Sequence, residues 1–362
     1  KWGVHEQIAR RIIKIVGDQK SKILLGFILS TGLISMWISN TATALMMLPM
    51  AIAVIEAMPP AHRQSRFSIL LMLSIAYSAN IGGIGTLIGS PPNTQMASIL
   101  SENFNTEISF FDWLKIGMPL ALVLLFTMFG IFNYLLGKER KDVHDLHFHT
   151  LPWTKAQKRV LWIFSVVAGL WIFRELIGKY FGVTYRDENA AILGAIAMFL
   201  MPSGEARKEK VLRWSDTEKL PWGILLLFGG GLALAAILEK NGVLKYLASS
   251  FTSFEGIGLV AAVGFIAFLA VFVTEVLSNL AMVTLFIPVV GVFAQQIGLP
   301  LVPLAMALTL SASLAFMMPV GTPPNAIVFG SGYLRIKDMM RYGFILNIIS
   351  FILVSVFVIL FL

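Results

Sequence analysis

Ser39 and Asn40 open the stretch SNTATALMMLP, and Ser278 and Asn279 open SNLAMVTLFIP, so the same polar pair is set twice into apolar sequence. Each is followed at a similar distance by a second motif, GSPPN at Gly89 to Asn93 and GTPPN at Gly321 to Asn325. A helix that stops inside an apolar environment leaves its last carbonyls, and the first amides of the next segment, without partners. In hydrocarbon each such group costs several kcal/mol, so the break survives only where it lines a polar cavity or binds something. Ser39 and Asn40 place side-chain oxygens beside the free carbonyls of a half-helix ending near Trp37, a cage suited to a hard cation. Asn40 and Thr41 also stand at the amino end of the next half-helix, where the dipole favours an anion. Gly85 to Asn93 reads as an unwound stretch: Gly89 allows close backbone approach, and Pro91 and Pro92 restart a helix with its preferred first-turn residue. Thr274, Ser278, Asn279, Gly321, Thr322 and Pro323 form the matching set. A single Ser-Asn pair in an apolar helix is usually a packing or interhelical hydrogen-bonding feature. Two copies, each followed by a Gly-Ser/Thr-Pro-Pro-Asn break, point instead to a transport site made from discontinuous helices.

The elements that position these residues lie in a membrane. Apolar residues make up 57% of the chain and charged residues only 13%, and the runs Ile23 to Ile55 and Phe67 to Ser101 carry no charge. Such runs are too long and apolar for a soluble core. With no cysteine, disulfides and thiolate metal sites are excluded. The net charge of +8 sits in short connections between apolar spans, which makes it a topology signal and not a nucleic-acid surface.

Run length and punctuation predict an all-α integral membrane protein. Spans are expected at 66–83, 111–136, 160–177, 188–202, 221–238, 302–319 and 342–361, with interrupted hairpins at 22–57 and 256–297. The loops 137–159, 203–220 and 335–341 hold the excess Lys and Arg and should face the cytoplasm, whereas 102–107 and 295–300 lack basic residues and should lie outside. Alternation then places the C-terminus outside the cell membrane. The first hairpin enters from the cytoplasm and the second from outside. The reading is an inverted-repeat transporter with two re-entrant helical hairpins, two unwound membrane helices and hairpin tips meeting near the midplane. Residues 1–136 form a first repeat, with a broken helix at 66–101, and 160–362 the second, with a broken helix at 302–334. Gly3-Val4 and Gly242-Val243 stand at matching offsets before the two hairpins, and only the second is preceded by three spans. The expectation is therefore a chain lacking about three amino-terminal membrane helices of its repeat.

Other chemistry is weaker. Glu275 is the one carboxylate deep in a hairpin, where it could relay protons, tune a cation site or pair structurally. Arg174 and Glu175, near a span end, are expected to snorkel. His144, His147 and His149 lie in a solvated loop without an obvious fourth metal ligand. Gly229-Gly230-Gly231 has neither a phosphate-loop lysine nor a preceding strand, so it reads as helix packing. No span holds a nucleophile with a base placed for it, which argues against an intramembrane enzyme.

The pairing of SNT with a downstream GSPPN, repeated in inverted form, resembles the divalent anion:sodium symporter family, the dicarboxylate and citrate carriers that include the INDY proteins. The similarity covers essentially all of the chain. It implies an elevator-type mechanism, a homodimer built on scaffold helices, and substrates such as succinate, malate or fumarate, with sodium as coupling ion and no cofactor. It implies one sodium site at Ser35, Ser39, Asn40 and Gly89, and another at Thr274, Ser278, Asn279 and Gly321. Substrate carboxylates would meet Asn40, Thr41, Ser90, Asn279, Thr322 and Pro323. The departure from the family pattern is Leu280, where Thr or a small residue is usual; it removes a hydroxyl contact.

An independent argument favours cation coupling. No Lys or Arg occurs in either hairpin core or around either PPN break, so a dianion there meets no fixed positive side chain. Isolated charge is expensive at that depth, and bound cations with helix amino ends must compensate it. An exchanger in such a family would replace a sodium with a basic side chain. Sodium-coupled uptake of C4-dicarboxylates is thus the expectation, with a dicarboxylate or citrate exchanger, or a sulfate carrier, as rivals on the same fold. An ion channel would need a continuous polar pore instead of two closed hairpin tips.

Overall fold

The computed structural model describes residues 1–16, 19–137, 152–183, 185–205, 209–219 and 256–362, with isolated positions between 223 and 242. The expected span 221–238, most of the loop 137–159 with its three histidines, Val243 and Gly231 lie outside the described residues.

The described residues are mostly helical. An amphipathic α1 (Val4–Val16) leads into α2 (Lys20–Ser35) and α3 (Asn40–Glu56), separated by a break at residues 36–39. Ser39 caps α3 by accepting from Ala42 N at 3.4 Å. α4 (Arg66–Gly83) stops before the unwound stretch, and α5 (Pro91–Phe104) restarts on its two prolines. α6 (Phe110–Leu136) opens on a Ser109–Asp112 capping box. Then come α7 (Lys155–Ile172), α8 (Arg174–Phe181) and α9 (Asp187–Leu200). The second series is α10 (Leu259–Val273), α11 (Asn279–Ile297), α12 (Leu301–Ala312), α13 (Pro323–Phe329) and α14 (Ile336–Phe361).

Two expectations change. The helix expected at 160–177 is divided at Phe173, and the Arg174 side chain is held by an ion pair. Its guanidinium pairs with Asp187 at 3.3 Å, and the other oxygen of that carboxylate accepts from Phe110 N at 2.8 Å. The helix expected over 302–319 ends at Ala312, because the residues that follow turn their amides to a side chain described below.

Helices α6, α11 and α14 are long and apolar enough to cross a membrane, and α3, α10 and α12 are shorter apolar helices. The way they pack is the same in both series. α2 lies on α4 and α6 as α10 lies on α12 and α14, α3 lies on α4 as α11 lies on α12, and α6 on α4 as α14 on α12. Contacts between the series also exchange: α13 packs on α3 and α4, α5 on α11 and α12, and α6 on α14. Glycines allow the closest approaches. A Cβ on Gly82 would stand 2.9 Å from Gly32 Cα, locking α4 against α2. Gly117 of α6 lies against Ile84 O, and Gly343 of α14 lies in the matching place against Phe316 O.

Candidate functional site

Each hairpin break is tied to the helix beside it by one hydroxyl. Ser35 Oγ, at the buried end of α2, lies 2.9 Å from Asn40 Oδ1 and 2.7 Å from Ala79 O of α4. Thr274 Oγ1, at the end of α10, lies 2.8 Å from Asn279 Oδ1 and 2.6 Å from Ala312 O of α12. A hydroxyl has one proton to give, so each break gathers more oxygen lone pairs than hydrogens to fill them. Ser278 repeats the role of Ser39, accepting from Ala281 N at 3.2 Å.

The PPN breaks close in parallel fashion. Asn93 Nδ2 donates to Gly83 O and Thr86 O, both at 2.9 Å, and Asn325 Nδ2 donates to Ala315 O at 3.1 Å and Met318 O at 3.0 Å. These asparagines hold the unwound strands in place and keep Gly89 and Gly321 against the hairpin breaks. A Cβ on Gly89 would meet Gly83 O at 2.7 Å, Met36 O at 2.9 Å and Ser35 O at 3.2 Å. Three backbone carbonyls therefore converge where only glycine fits, which suits a hard cation with oxygen ligands. The place at Gly321 differs: a Cβ there would stand 3.2 Å from Glu275 Oε2, 3.3 Å from Met318 O and 3.2 Å from Ala315 Cβ.

Glu275 is buried and braces the second break. Its Oε1 accepts from Phe316 N at 2.7 Å, Met317 N at 2.8 Å and Asn347 Nδ2 of α14 at 2.8 Å, and its Oε2 from Met318 N at 2.8 Å. Successive amides form an anion-binding nest that this side chain fills. Of the roles open to Glu275 in the sequence, the geometry supports pairing, with one oxygen also facing the Gly321 cradle.

The sequence-derived residues gather at these two places. Ser35, Asn40 and Gly89 surround the first cradle, with Ser39 capping α3 at its exposed edge; at the second break Thr274 meets Asn279, Ser278 takes the capping role, and Gly321 lies against Glu275, Met318 O and Ala315. Ser90 and Thr322 are the buried residues immediately before α5 and α13, Thr41 is half-buried in the first turn of α3, and Pro323 is exposed. Sequence reasoning gave no role to Asn80, Thr86 or Asn347. Each is buried and hydrogen-bonded at a break, and the available signal was an isolated polar side chain in an apolar run.

A family model described as a citrate transporter matches residues 1–310. The chain belongs to the divalent anion:sodium symporter family. Relatives within this symporter family include the sodium-dependent dicarboxylate transporter SdcS of Staphylococcus saprophyticus, 36% identical over 98% of this chain and 72% of the relative. The SdcS of Staphylococcus aureus strain USA300 is 37% identical over the same shares. The crystal structure of the Alcanivorax borkumensis YdaH transporter shares the fold, with a TM-score of 0.69 at 12% identity, over 99% of this chain and 82% of that one. The chain is a multi-pass membrane transporter and not an enzyme.

Proposed function

We propose that the protein imports C4-dicarboxylates such as succinate, malate and fumarate together with sodium. The observation that carries this reading is the three-carbonyl cradle at Gly89, with a second oxygen-lined place at Gly321 formed by Met318 O and Glu275 Oε2, in hairpin cores and breaks without Lys or Arg. One sodium is held by oxygens of Ser35, Ser39, Asn40 and Gly89, the other by Thr274, Ser278, Asn279 and Gly321. The carboxylates meet Asn40, Thr41, Ser90, Asn279, Thr322 and Pro323, between the amino ends of half-helices from both series. Sodium dependence of the SdcS relatives, which their name states, supports the coupling ion.

In this reading α2–α3 and α10–α11 are re-entrant hairpins of an inverted repeat, entering from opposite sides of the bilayer. The basic connections face the cytoplasm and the C-terminus lies outside. The paired breaks with their hairpins move as one body against a scaffold that forms a homodimer, an elevator motion in the cell membrane.

The test is radiolabelled succinate uptake into proteoliposomes under an inward sodium gradient and then with choline in its place. Uptake that requires sodium is the expected result. Equal uptake in choline, accelerated by internal dicarboxylate, would make the protein an exchanger. Failure with succinate but uptake of sulfate would move it to the sulfate reading.

A further inference from the structure

One side chain crosses from the first series to the PPN break of the second, Asn80, which lies in α4 with 0% of its surface accessible. Its Nδ2 donates across to the other series: to Ala315 O and to Thr322 Oγ1, both at 3.0 Å, with Asn325 Oδ1 at 3.4 Å. Thr322 Oγ1 accepts a second time, from Asn325 N at 3.4 Å. A hydroxyl offers two lone pairs and one proton. With both lone pairs taken by N–H donors, Thr322 has only its proton left to offer a ligand.

The first break serves as an internal control. Asn93 makes the same pair of carbonyl contacts as Asn325, yet its Oδ1 is buried without a hydrogen-bond partner. The hydroxyl anchors Ser35 and Thr274 bond to Ala79 O and Ala312 O, so the residue that matches Asn80 is Ser313. Its hydroxyl is too short to cross, and it is buried with no partner. Ser90, the counterpart of Thr322, receives no such donor among the described residues. The second series also has Leu280 where the first has Thr41, so it lacks a hydroxyl at that first-turn position.

We propose that Asn80 is a positioning residue that fixes Thr322 as a hydrogen-bond donor, aimed at a substrate carboxylate and closed to cation binding. The proposal rests on the dianion-transport reading above. It makes the site directional: the Thr322 side grips an oxyanion with a preset donor, and the Ser90 side with a hydroxyl free to turn.

Uptake by the wild type is measured first with succinate, citrate and sulfate. Absence of succinate uptake overturns the substrate reading, and the comparison below is then made on whichever dianion is carried; a protein that carries none overturns both. Asn80→Ala and the isosteric Asn80→Asp, which turns donors into acceptors, should each raise the substrate KM about tenfold or more, in line with loss of a hydrogen bond to a charged group. Sodium half-saturation at saturating substrate should stay within about twofold. Because Asn80 acts through Thr322, Thr322→Val should add little to Asn80→Ala, and the two effects should not multiply. An unchanged KM, multiplying effects, or a loss confined to maximal rate and thermal stability would reduce Asn80 to a structural brace and overturn the proposal.

Discussion

In the first series the amides that follow α4 turn back onto their own helix, Ile84 N to Ile81 O at 3.3 Å and Gly85 N to Gly82 O at 2.9 Å, and the Thr86 hydroxyl donates to Met36 O. In the second series the amides of Phe316, Met317 and Met318 leave α12 and are collected by Glu275, with Asn347 as a fourth donor. Glu275 stands where the first series has Met36. Asn347 follows Gly343 in α14 at the spacing at which Ala121 follows Gly117 in α6. Carboxylate and carboxamide therefore occur together in one half and are replaced together by apolar residues in the other. The comparison teaches that one backbone break can be closed in two ways. Both helices end in a tightened last turn, Ser313 N to Leu310 O and Leu314 N to Ser311 O in the second series, but α12 ends earlier relative to its break, and a single carboxylate takes the three amides at 316–318 that no turn satisfies. The second solution concentrates the stability of the break in one residue and brings a negative charge to one cradle only.

That difference can be broken directly. Glu275→Ala removes the acceptor from four donors, two of them buried, Phe316 N and Asn347 Nδ2, each costing about 1–3 kcal/mol when left unsatisfied. The purified protein should lose many degrees of melting temperature or fail to accumulate, with Glu275→Gln intermediate because it keeps one acceptor oxygen. Wild-type melting of Glu275→Ala would show that the amides find other partners. Next in size, Asn40→Ala and Asn279→Ala should each abolish uptake with folding intact, checked by size-exclusion profile; normal uptake in either variant would remove that residue from the site.

Substitution at the paired glycines sharpens the contrast. Gly89→Ala drives a methyl into three backbone carbonyls that cannot yield, whereas at Gly321 the neighbours stand further off and one is the end of a side chain. Sodium half-saturation should therefore rise more in Gly89→Ala than in Gly321→Ala, and the reverse order would contradict the assignment of the cradles. The smallest effect belongs to Thr86→Val, which removes one hydroxyl bond to Met36 O and should cost about 1 kcal/mol. A loss as large as that of Glu275→Ala would mean that the first break also depends on one side chain.

Much of this arrangement is legible in the chain. The doubled Ser-Asn and Pro-Pro-Asn motifs mark the breaks, because Ser is a good cap and Pro can only start a helix, and α3, α5, α11 and α13 all begin beside them. The charge-free runs mark the solvent. What stays hidden is which side chain closes each break. Whether Glu275 serves as relay, ligand or brace depends on whether the amides at 316–318 turn to it, and its partners lie 41 to 72 residues away in sequence. Asn80 is hidden for the same reason: its acceptors lie in the other series. The division at Phe173 follows from the Arg174–Asp187 pair, which forms only once α7 and α9 are side by side.

The most direct test of a two-cradle, cation-coupled site is the sodium activation curve of wild-type succinate uptake at fixed membrane potential. Two cations bound with the dianion predict a sigmoidal curve that rises more steeply than a single-site hyperbola. A hyperbolic curve, or uptake indifferent to sodium, would contradict the account.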